Sequence, residues 1–438
     1  MKNANIHNNP KIQRAVNEFN RGTVKIAEDC EYSLDDFKTR LNNNILIVGG
    51  SGCGKTRNIV EPNLVEAVGS FLISDPKGNL YNKYREYLKL KGYRVISVDF
   101  IHPERSSCYN PMHYANTSQE IMKLANLIID DNAAKGTKAD PYWNMSSMTM
   151  LLALIGFMKE TDRRSMTFKE ILRLLDMGKR DKDDDECHDS ALSRMFGALR
   201  RANPDSWACR QFDNANLAPC RTYDCTRSTL AAKFAKLDSE ELDRMMSGQP
   251  FDFTAIACEK TAVFVAVSDT DRSMDTLANM FFSQAINSLC EFADNCCENN
   301  RLPIPVRFIL DDFATNCRIE EFPRMISSIR SRAVSVMLLV QSEAQLLQSY
   351  QNDCKTIISN CDTYAYIGGN DAVTADSISY RSDLPPIEVL SMKIGECIVF
   401  RRGSRPVRSQ LLDGGKYIAA MRKFVSDAHE RSRSGNGV

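Results

Sequence analysis

The chain has no net charge, no long apolar run and no C-x-x-C motif. Its 438 residues include 56 Lys and Arg against 56 Asp and Glu, so the molecule as a whole is not a polycation. A nucleic acid would therefore bind through a local patch or an assembled channel rather than through overall charge. The longest apolar run, residues 148–158, is too short to cross a bilayer and predicts a buried helix. With no visible signal peptide, these features predict a soluble globular chain with about two domains.

The 15 cysteines include no C-x-x-C motif. An odd number of cysteines without that motif is typical of reduced cytosolic thiols rather than of a disulfide scaffold. The alternative is a zinc site in the region that holds Cys187, His188, Cys209, Cys220 and Cys225. The spacing of these residues matches no familiar zinc site, so reduced thiols are the favoured interpretation.

A glycine-rich stretch follows the first strongly apolar run. Residues 45–48 are branched and apolar, as in a buried parallel strand, and residues 49–56 read GGSGCGKT, which fits G-x-x-x-x-G-K-[ST]. The backbone N–H groups of such a loop surround phosphate oxygens, and the next helix turns its positive end to the same anion. We predict a P-loop that binds nucleotide through Gly49, Gly50, Ser51, Gly52, Cys53, Gly54, Lys55 and Thr56. Lys55 would reach the β- and γ-phosphates, and the Thr56 hydroxyl would bind Mg²⁺.

Strand and helix patterns alternate along most of the chain. Strand-like runs occur at 45–48, 71–74, 94–98, 261–269, 306–314, 334–342, 363–369 and 396–400. Helical segments separate most of them, which predicts an α/β fold with a mainly parallel sheet covered on both faces. The stretch 116–249 has helical periodicity and predicts an all-α domain inserted into the α/β domain. The predicted division is a flexible N-terminal segment (1–22), a nucleotide-binding domain in two parts (23–115 and 250–421), the insertion (116–249) and a disordered tail (422–438).

Two acids end the strand pattern at 306–310. Asp311 is placed to hold Mg²⁺ through its waters, and Asp312 is placed to polarise the attacking water. A P-loop needs such a partner at the end of a neighbouring strand, although a strand ending in two solvated acids is the simpler alternative. The next strand ends in Gln341, whose amide can sit beside a γ-phosphate, although a polar residue is ordinary in a loop. An acid-bearing strand followed by a glutamine-bearing strand is the arrangement of RecA-like motors, so we predict a RecA-like P-loop NTPase.

Two further polar groups fit either a functional or a structural reading. Asp75 and Lys77 lie at the predicted carboxyl end of the sheet, where ligands bind in open α/β folds. The alternative is that they belong to a turn with a helix cap. Four arginines near the end of the chain could form a DNA-facing stripe or a solvated strand end: Arg401, Arg402, Arg405 and Arg408.

The chain resembles the type IV secretion coupling proteins, the ATPases of conjugative DNA transfer, and among them the branch found in Gram-positive mobile elements. The resemblance covers roughly residues 24–405. It rests on stretches in the family's order, including NNNILIVGGSGCGKTRNIVEPNL, LISDPKGNLY, YNPMHYA, DPYWNMSSMTMLLALIGFM, VFVAVSDTDRSMDTLANMFFSQ, FILDDFA and RSRAVSVMLLVQSEAQLLQSY.

This resemblance implies a RecA-like motor with an inserted all-α domain, using ATP and Mg²⁺. It implies a homo-hexameric ring with ATP sites between subunits, which hands relaxase-bound DNA (a single strand or a duplex) or a protein substrate to a secretion channel. The nucleotide roles fall on Lys55, Thr56, Asp311, Asp312 and Gln341. Relatives usually begin with membrane-spanning helices, which are not visible here. Either a separate protein supplies the membrane anchor, or this is a soluble or abbreviated relative. The expected location is the cytoplasm, at the inner face of the membrane.

Arg330 occupies the place where relatives carry an arginine that reaches the neighbouring subunit's ATP site. It lies between Asp312 and Gln341, at the predicted end of a helix, and its forked, permanent charge suits a transferring phosphate. Arg332 is a nearby competitor. The alternative is a surface arginine paired with Glu320 or Glu321.

The leading hypothesis is an ATP-hydrolysing coupling protein or DNA translocase that links a relaxase–DNA substrate to a conjugation channel. A soluble motor for DNA segregation or packaging is the second hypothesis. A third is an ATP-binding assembly scaffold with weak hydrolysis, because many relatives have Glu where this chain has Asp312.

Overall fold

The computed structural model describes residues 9–129, 141–163, 166–180, 190–316, 318–319 and 321–434. Two compact units account for them. The first contains the described residues up to Ile101 and from Asp252 onward, and the second is His102–Phe251. The stretch predicted as the insertion, 116–249, lies inside the second unit.

All strands belong, in the described part of the chain, to the first unit. They are β1 (Thr23–Ala27), β2 (Cys30–Ser33), β3 (Ile45–Val48), β4 (Ser70–Asp75), β5 (Arg94–Asp99), β6 (Thr261–Ala266), β7 (Val306–Leu310), β8 (Val334–Val340), β9 (Thr363–Tyr366), β10 (Glu396–Arg401) and β11 (Val407–Gln410). The first two form an antiparallel hairpin. The other nine form one sheet in the order β11-β10-β9-β3-β8-β7-β4-β6-β5.

The sheet is parallel from β9 to β5, and β10 runs in the opposite direction, so that it pairs antiparallel with both β9 and β11. Every residue of β3, β4, β6, β7 and β8 is buried, which explains their unbroken apolar sequences. One expectation is wrong: the acid-bearing strand β7 is not beside the P-loop strand β3. The glutamine-bearing strand β8 lies between them and pairs with both.

Helices cover both faces of this sheet. Those of the first unit are Pro10–Arg21, Asp36–Thr39, Glu61–Glu66, Asn79–Leu90, Asp275–Cys296, Phe313–Asn316, Phe322–Ile326, Glu343–Tyr350, Cys354–Ser359, Ala372–Ser382, Pro386–Leu390 and Gly414–Ser434. A π-helical turn, Thr56–Val60, leads from the P-loop into Glu61–Glu66.

The ends of the chain differ from the sequence prediction. In the segment predicted as flexible (1–22), the described part is a helix that buries Ile12, Ala15 and Phe19. The tail predicted as disordered (422–438) is helical up to Ser434. Its Phe424 meets the Tyr87 ring edge-on at 5.4 Å, one turn after the buried Met421. Both segments are polar on average, but their few apolar residues recur at helical spacing and are enough to dock one face.

All regular secondary structure among the described residues of the second unit is helical. Its α-helices are Ser118–Ile129, Pro141–Thr161, Phe168–Met177, Ala191–Ala202, Trp207–Asn216, Cys220–Phe234 and Glu240–Ser247. The longest apolar run falls within Pro141–Thr161 and is buried from Met150 to Ile155, as predicted. Phe196 stacks on Phe212 at 3.9 Å in the same core. No helix in the described part of the chain is long and apolar enough to cross a membrane.

Candidate functional site

The glycine-rich loop turns sharply where β3 ends. Gly52 and Gly54 have positive φ angles of 78° and 88°, which favour glycine. A Cβ atom on Gly49 would lie 2.2 Å from Ile367 Cγ1, so a side chain cannot be accommodated there without movement. The Gly49 N–H donates to Val340 O at 3.1 Å, and the Gly50 N–H donates to Gly368 O at 2.9 Å. The loop is thereby anchored to the ends of both strands that flank β3.

Lys55 lies within this loop and is buried. Its Nζ donates to Gly49 O at 2.6 Å and to Gly50 O at 3.1 Å. The carbonyls of the loop therefore hold the ammonium group at the centre of the turn, close to the backbone that the motif predicts for phosphate binding.

Thr56 connects the loop to the acid at the end of β7. Its hydroxyl donates to Asp311 Oδ2 at 2.5 Å, although 255 positions separate the two residues in sequence. Ser74 at the end of β4 fixes the Asp311 backbone: its Oγ accepts from the Asp311 N–H at 2.6 Å and donates to Asp311 O at 3.0 Å. Burial raises the pKa of the Asp311 carboxyl, and the Thr56 hydrogen bond partly opposes that rise.

Asp312 and Gln341 end neighbouring strands at the same edge. Asp312 has a left-handed backbone (φ 51°), and its N–H donates to Asp311 Oδ1 at 3.1 Å. The Gln341 N–H donates to Gln345 Oε1 at 3.0 Å. Both residues line one cleft of about 670 Å³ together with the loop, Thr56 and Asp311. Eight of the predicted site residues thus line a space of the size typical for small-molecule ligands: Ser51, Gly52, Gly54, Lys55, Thr56, Asp311, Asp312 and Gln341.

Sequence reasoning missed several other residues that line the cleft: Arg57, Glu61, Asp269 and Thr315. Glu61 is buried and accepts from the Tyr84 hydroxyl at 2.7 Å and from Lys83. Glu61 could not be assigned to the site from the sequence, because its helical pattern does not show that it faces the strand ends that form the cleft.

Asp75 and Lys77 also line the cleft, as their predicted position requires. Asp75 is buried and accepts from the Tyr81 N–H at 3.0 Å, so it satisfies a backbone N–H in the first turn of the helix Asn79–Leu90. Lys77 pairs with Asp269 at 3.7 Å, with both side chains largely exposed.

Arg330 is not part of the cleft of its own chain. It begins a 3-10 turn, Arg330–Arg332, just before β8. Gln341 follows the other end of β8, about 20 Å away for a strand of that length. Arg332 makes a bidentate pair with Asp294 at 2.9 and 2.7 Å. Arg330 is exposed and forms no ion pair with any described residue. Glu320, its suggested partner, lies outside the described residues.

The arginines near the chain end are mostly engaged within the molecule. Arg401 lies 4.0 Å from the centre of the Tyr32 ring, Arg402 pairs with Asp362 at 3.1 Å, and Arg408 pairs with Glu396 at 2.7 Å. Of the four arginines, three thus have partners within the molecule, which favours a role in the structure of the strand ends over a DNA-facing stripe.

The cysteines give no support to a zinc site. Among the described residues no group of three His, Cys, Asp or Glu side chains could hold a metal, and Cys187 and His188 lie outside them. Twelve described cysteines are free, whereas Cys220 is bonded in a disulfide. The expectation of uniformly reduced thiols is wrong at Cys220, because spacing along a chain does not reveal which sulfurs meet in space.

Known structures share this fold. The bacterial conjugative coupling protein TrwBdeltaN70, in complex with sulphate, superposes with a TM-score of 0.64 at 14% identity, over 90% of this chain and 89% of that one. Plasmid coupling protein TrwB in complex with ADP and Mg²⁺ gives 0.62 at 15% identity, over 89% of each chain. The prediction of a RecA-like P-loop fold with a mainly parallel sheet is confirmed.

Sequence relatives agree. A probable conjugal transfer protein TraG of Sinorhizobium fredii is 21% identical over 407 residues, which cover 83% of this chain and 60% of that protein. Protein VirD4 of Rhizobium radiobacter is 23% identical over 344 residues, covering 76% and 47% respectively. The chain thus spans only about half to three-fifths of the length of these relatives. The model of the family "Type IV secretory system Conjugative DNA transfer" matches residues 1–382. The chain belongs to this family, that of the type IV secretion coupling proteins.

Proposed function

We propose that the chain is an ATPase that drives conjugative DNA transfer, by coupling a relaxase-bound DNA substrate to a type IV secretion channel. The observation that carries the proposal is the hydrogen bond between Thr56 and Asp311. It joins the P-loop to the acid at the end of β7, and both residues line a cleft that Lys55 also lines, which supports a nucleotide site built from these two segments.

The residues present fit Mg²⁺ and a nucleoside triphosphate. A hydroxyl and a carboxylate are the hard oxygen ligands that Mg²⁺ takes together with substrate phosphates. Gly52 and Gly54 have the positive φ angles that allow backbone N–H groups of a glycine-rich loop to turn toward an anion. Thr56 and Asp311 would hold the ion, which when bound neutralises charge developing on the phosphate oxygens.

The chain's own groups then divide the work of hydrolysis. Lys55 would leave the loop carbonyls and bind the β- and γ-phosphates. Asp312 would accept a hydrogen bond from the attacking water and receive its proton as the water oxygen bonds to the γ-phosphorus and the β–γ bridge breaks. Gln341, on the adjacent strand end, would contact the γ-phosphate and respond to its loss.

We further propose that the active assembly is a homo-hexamer with each cleft at a subunit interface. The position of Arg330 supports this, because its guanidinium is exposed at the opposite end of β8 from its own cleft. In this assembly Arg330 would serve the neighbour's site, where its permanent, forked charge suits transferring phosphate oxygens. The bidentate pair of Arg332 with Asp294 makes Arg332 the weaker candidate.

The helical unit is proposed to recognise cargo or channel proteins, because none of the P-loop, acid or glutamine residues comes from it. The proposal that the ATPase acts in DNA transfer is supported by the names of the relatives, which include a conjugal transfer protein, and by the name of the family. A soluble segregation or packaging motor and a weakly hydrolysing scaffold are the competing functions.

Measuring ATP hydrolysis with and without single- and double-stranded DNA, together with oligomer size, tests the proposal. We expect Mg²⁺-dependent turnover that DNA stimulates in a hexameric species. Hydrolysis that DNA does not change would favour the scaffold. A motor that captures no relaxase and no channel protein in pull-downs would favour segregation or packaging.

A further inference from the structure

The side chain of Gln345 bridges the two strand ends that carry Asp312 and Gln341. Its Oε1 accepts from the Gln341 N–H at 3.0 Å, and its Nε2 donates to the Thr315 hydroxyl. The Thr315 N–H in turn donates to Asp312 O at 2.9 Å. A continuous hydrogen-bonded path therefore joins the acid at the end of β7 to the glutamine at the end of β8.

The hydrogen-bonding groups on either side of Gln345 determine the orientation of its side-chain amide. A backbone N–H can only donate, so the oxygen of the Gln345 amide must face Gln341, and its NH₂ group must face Thr315. The Thr315 hydroxyl accepts there. Both ends of one amide are thus used, and no other orientation of Gln345 satisfies both partners.

The helix that carries Gln345 is held in place by other contacts. Ser342 Oγ caps its first turn by accepting from the Gln345 N–H at 3.1 Å. Ser349 Oγ donates to Ala314 O at 2.9 Å, and Tyr350 stacks on Phe313 with ring centres 5.5 Å apart. Gln345 therefore projects from a firmly packed helix, not from a loop.

The residues at the two ends of the path need such support. Asp312 has a left-handed backbone, a conformation that persists only where the surroundings impose it. Gln341 is exposed and follows the last residue of its strand. Asp312, Thr315 and Gln341 line the cleft, whereas Gln345 is not among the residues that line it.

We propose that Gln345 is a positioning residue that keeps Asp312 and Gln341 at the separation required for hydrolysis. The inference rests on the proposed ATPase function. It would act on the chemical step and not on nucleotide binding, because misplacement of a catalytic group by about 1 Å can cost on the order of 100-fold in rate.

The test compares three variants by ATP affinity, kcat and KM. Gln345→Met is nearly isosteric and removes both hydrogen bonds. Gln345→Glu keeps an acceptor for the Gln341 N–H and can accept from the Thr315 hydroxyl. Gln348→Met is the matched control, since Gln348 lies on the same helix with an exposed side chain.

We expect Gln345→Met to lower kcat about tenfold or more, the effect of losing about one net hydrogen bond in the transition state, with ATP affinity nearly unchanged. Gln345→Glu should recover part of kcat, and Gln348→Met should match the parent. Parent-like kcat in Gln345→Met, or an equal loss in Gln348→Met, would overturn the proposal. If Gln345→Met does not fold, Thr315→Val removes one half of the bridge and is measured instead.

Amide hydrogen exchange separates this inference from the proposed function. If the parent does not hydrolyse ATP, the function fails, yet the bridge can still be tested in the same proteins. Faster exchange in peptides that contain Gln341 and Thr315 is expected in Gln345→Met and not in Gln348→Met. Identical exchange in the two variants would show that Gln345 does not hold these strand ends.

Discussion

Asp312 combines a proposed catalytic role with an unusual backbone, and substitutions can separate the two. Its φ of 51° lies in the left-handed region, where Asp and Asn are the best tolerated residues with a side chain. Glutamate lacks the short side chain that favours this region, so Asp312→Glu should cost about 1 kcal/mol of stability. Asp312→Asn keeps the backbone preference but removes the charge that receives the proton.

The free energy that a general base contributes to catalysis is larger than the free energy of placing glutamate in the left-handed region. A general base contributes about 10²–10⁴-fold to the rate, which corresponds to roughly 3–5 kcal/mol. The strain introduced by glutamate is smaller than that. Asp312→Glu should therefore keep or raise turnover while lowering the thermal midpoint by roughly 1–3 °C. Asp312→Asn and Asp312→Ala should bind ATP and hydrolyse it at least about 100-fold more slowly.

Steady-state hydrolysis, ATP binding and thermal unfolding of the three variants check this reasoning. A glutamate variant as inactive as the alanine variant would mean that Asp312 has only a structural role. An asparagine variant destabilised as much as the glutamate variant would refute the argument from the left-handed backbone.

Three further predictions concern the rest of the site and the helical unit. Burial raises the pKa of the Asp311 carboxyl, so its ionised form opposes folding at neutral pH. Asp311→Asn should therefore raise the thermal midpoint of the nucleotide-free protein at neutral pH, and this increase should become smaller as the pH falls below the pKa of Asp311 in the folded state. The same variant should lose Mg²⁺-dependent hydrolysis. No gain in the midpoint at neutral pH would contradict the burial argument. Arg330→Ala should bind ATP normally but hydrolyse it about 10³-fold more slowly, and mixing it with Lys55→Ala chains should restore part of the activity; no recovery in rings proven to be mixed would refute action across the interface. Replacing residues 116–249 by a short linker should leave nucleotide binding measurable by titration, and loss of binding in a chain that still folds would refute the division into motor and insertion.

The sequence predicted the parallel strands well because all of them except the edge strand β5 are buried along their whole length. Residues 45–48 match β3, and the other predicted strands overlap β4 to β10. The hairpin β1–β2 and the edge strand β11 were not predicted, since they are short and partly exposed and lack continuous apolar runs. Sheet order could not be read from the chain either, which is why β8 was not expected between β3 and β7.

The site could be predicted at the level of motifs but not of contacts. The loop, both acids and Gln341 lie in one cleft because parallel strands end at one edge of the sheet. Side-chain pairs between distant segments carry no local signal. The bond from Thr56 to Asp311 was implied only by the roles of the two residues, and Gln345 had no sequence feature that distinguished it from other helix-surface residues.

The most direct test of the central claim is the rate of ATP hydrolysis by the purified chain in Mg²⁺, with and without DNA, with Lys55→Ala as the matched blank. Lys55 is buried and bonded to two loop carbonyls, so folding of the variant must be verified by its circular dichroism. We predict DNA-stimulated hydrolysis by the parent and none above background by a folded Lys55→Ala. Equal rates in the two proteins would contradict the assignment of the cleft as the site of ATP hydrolysis.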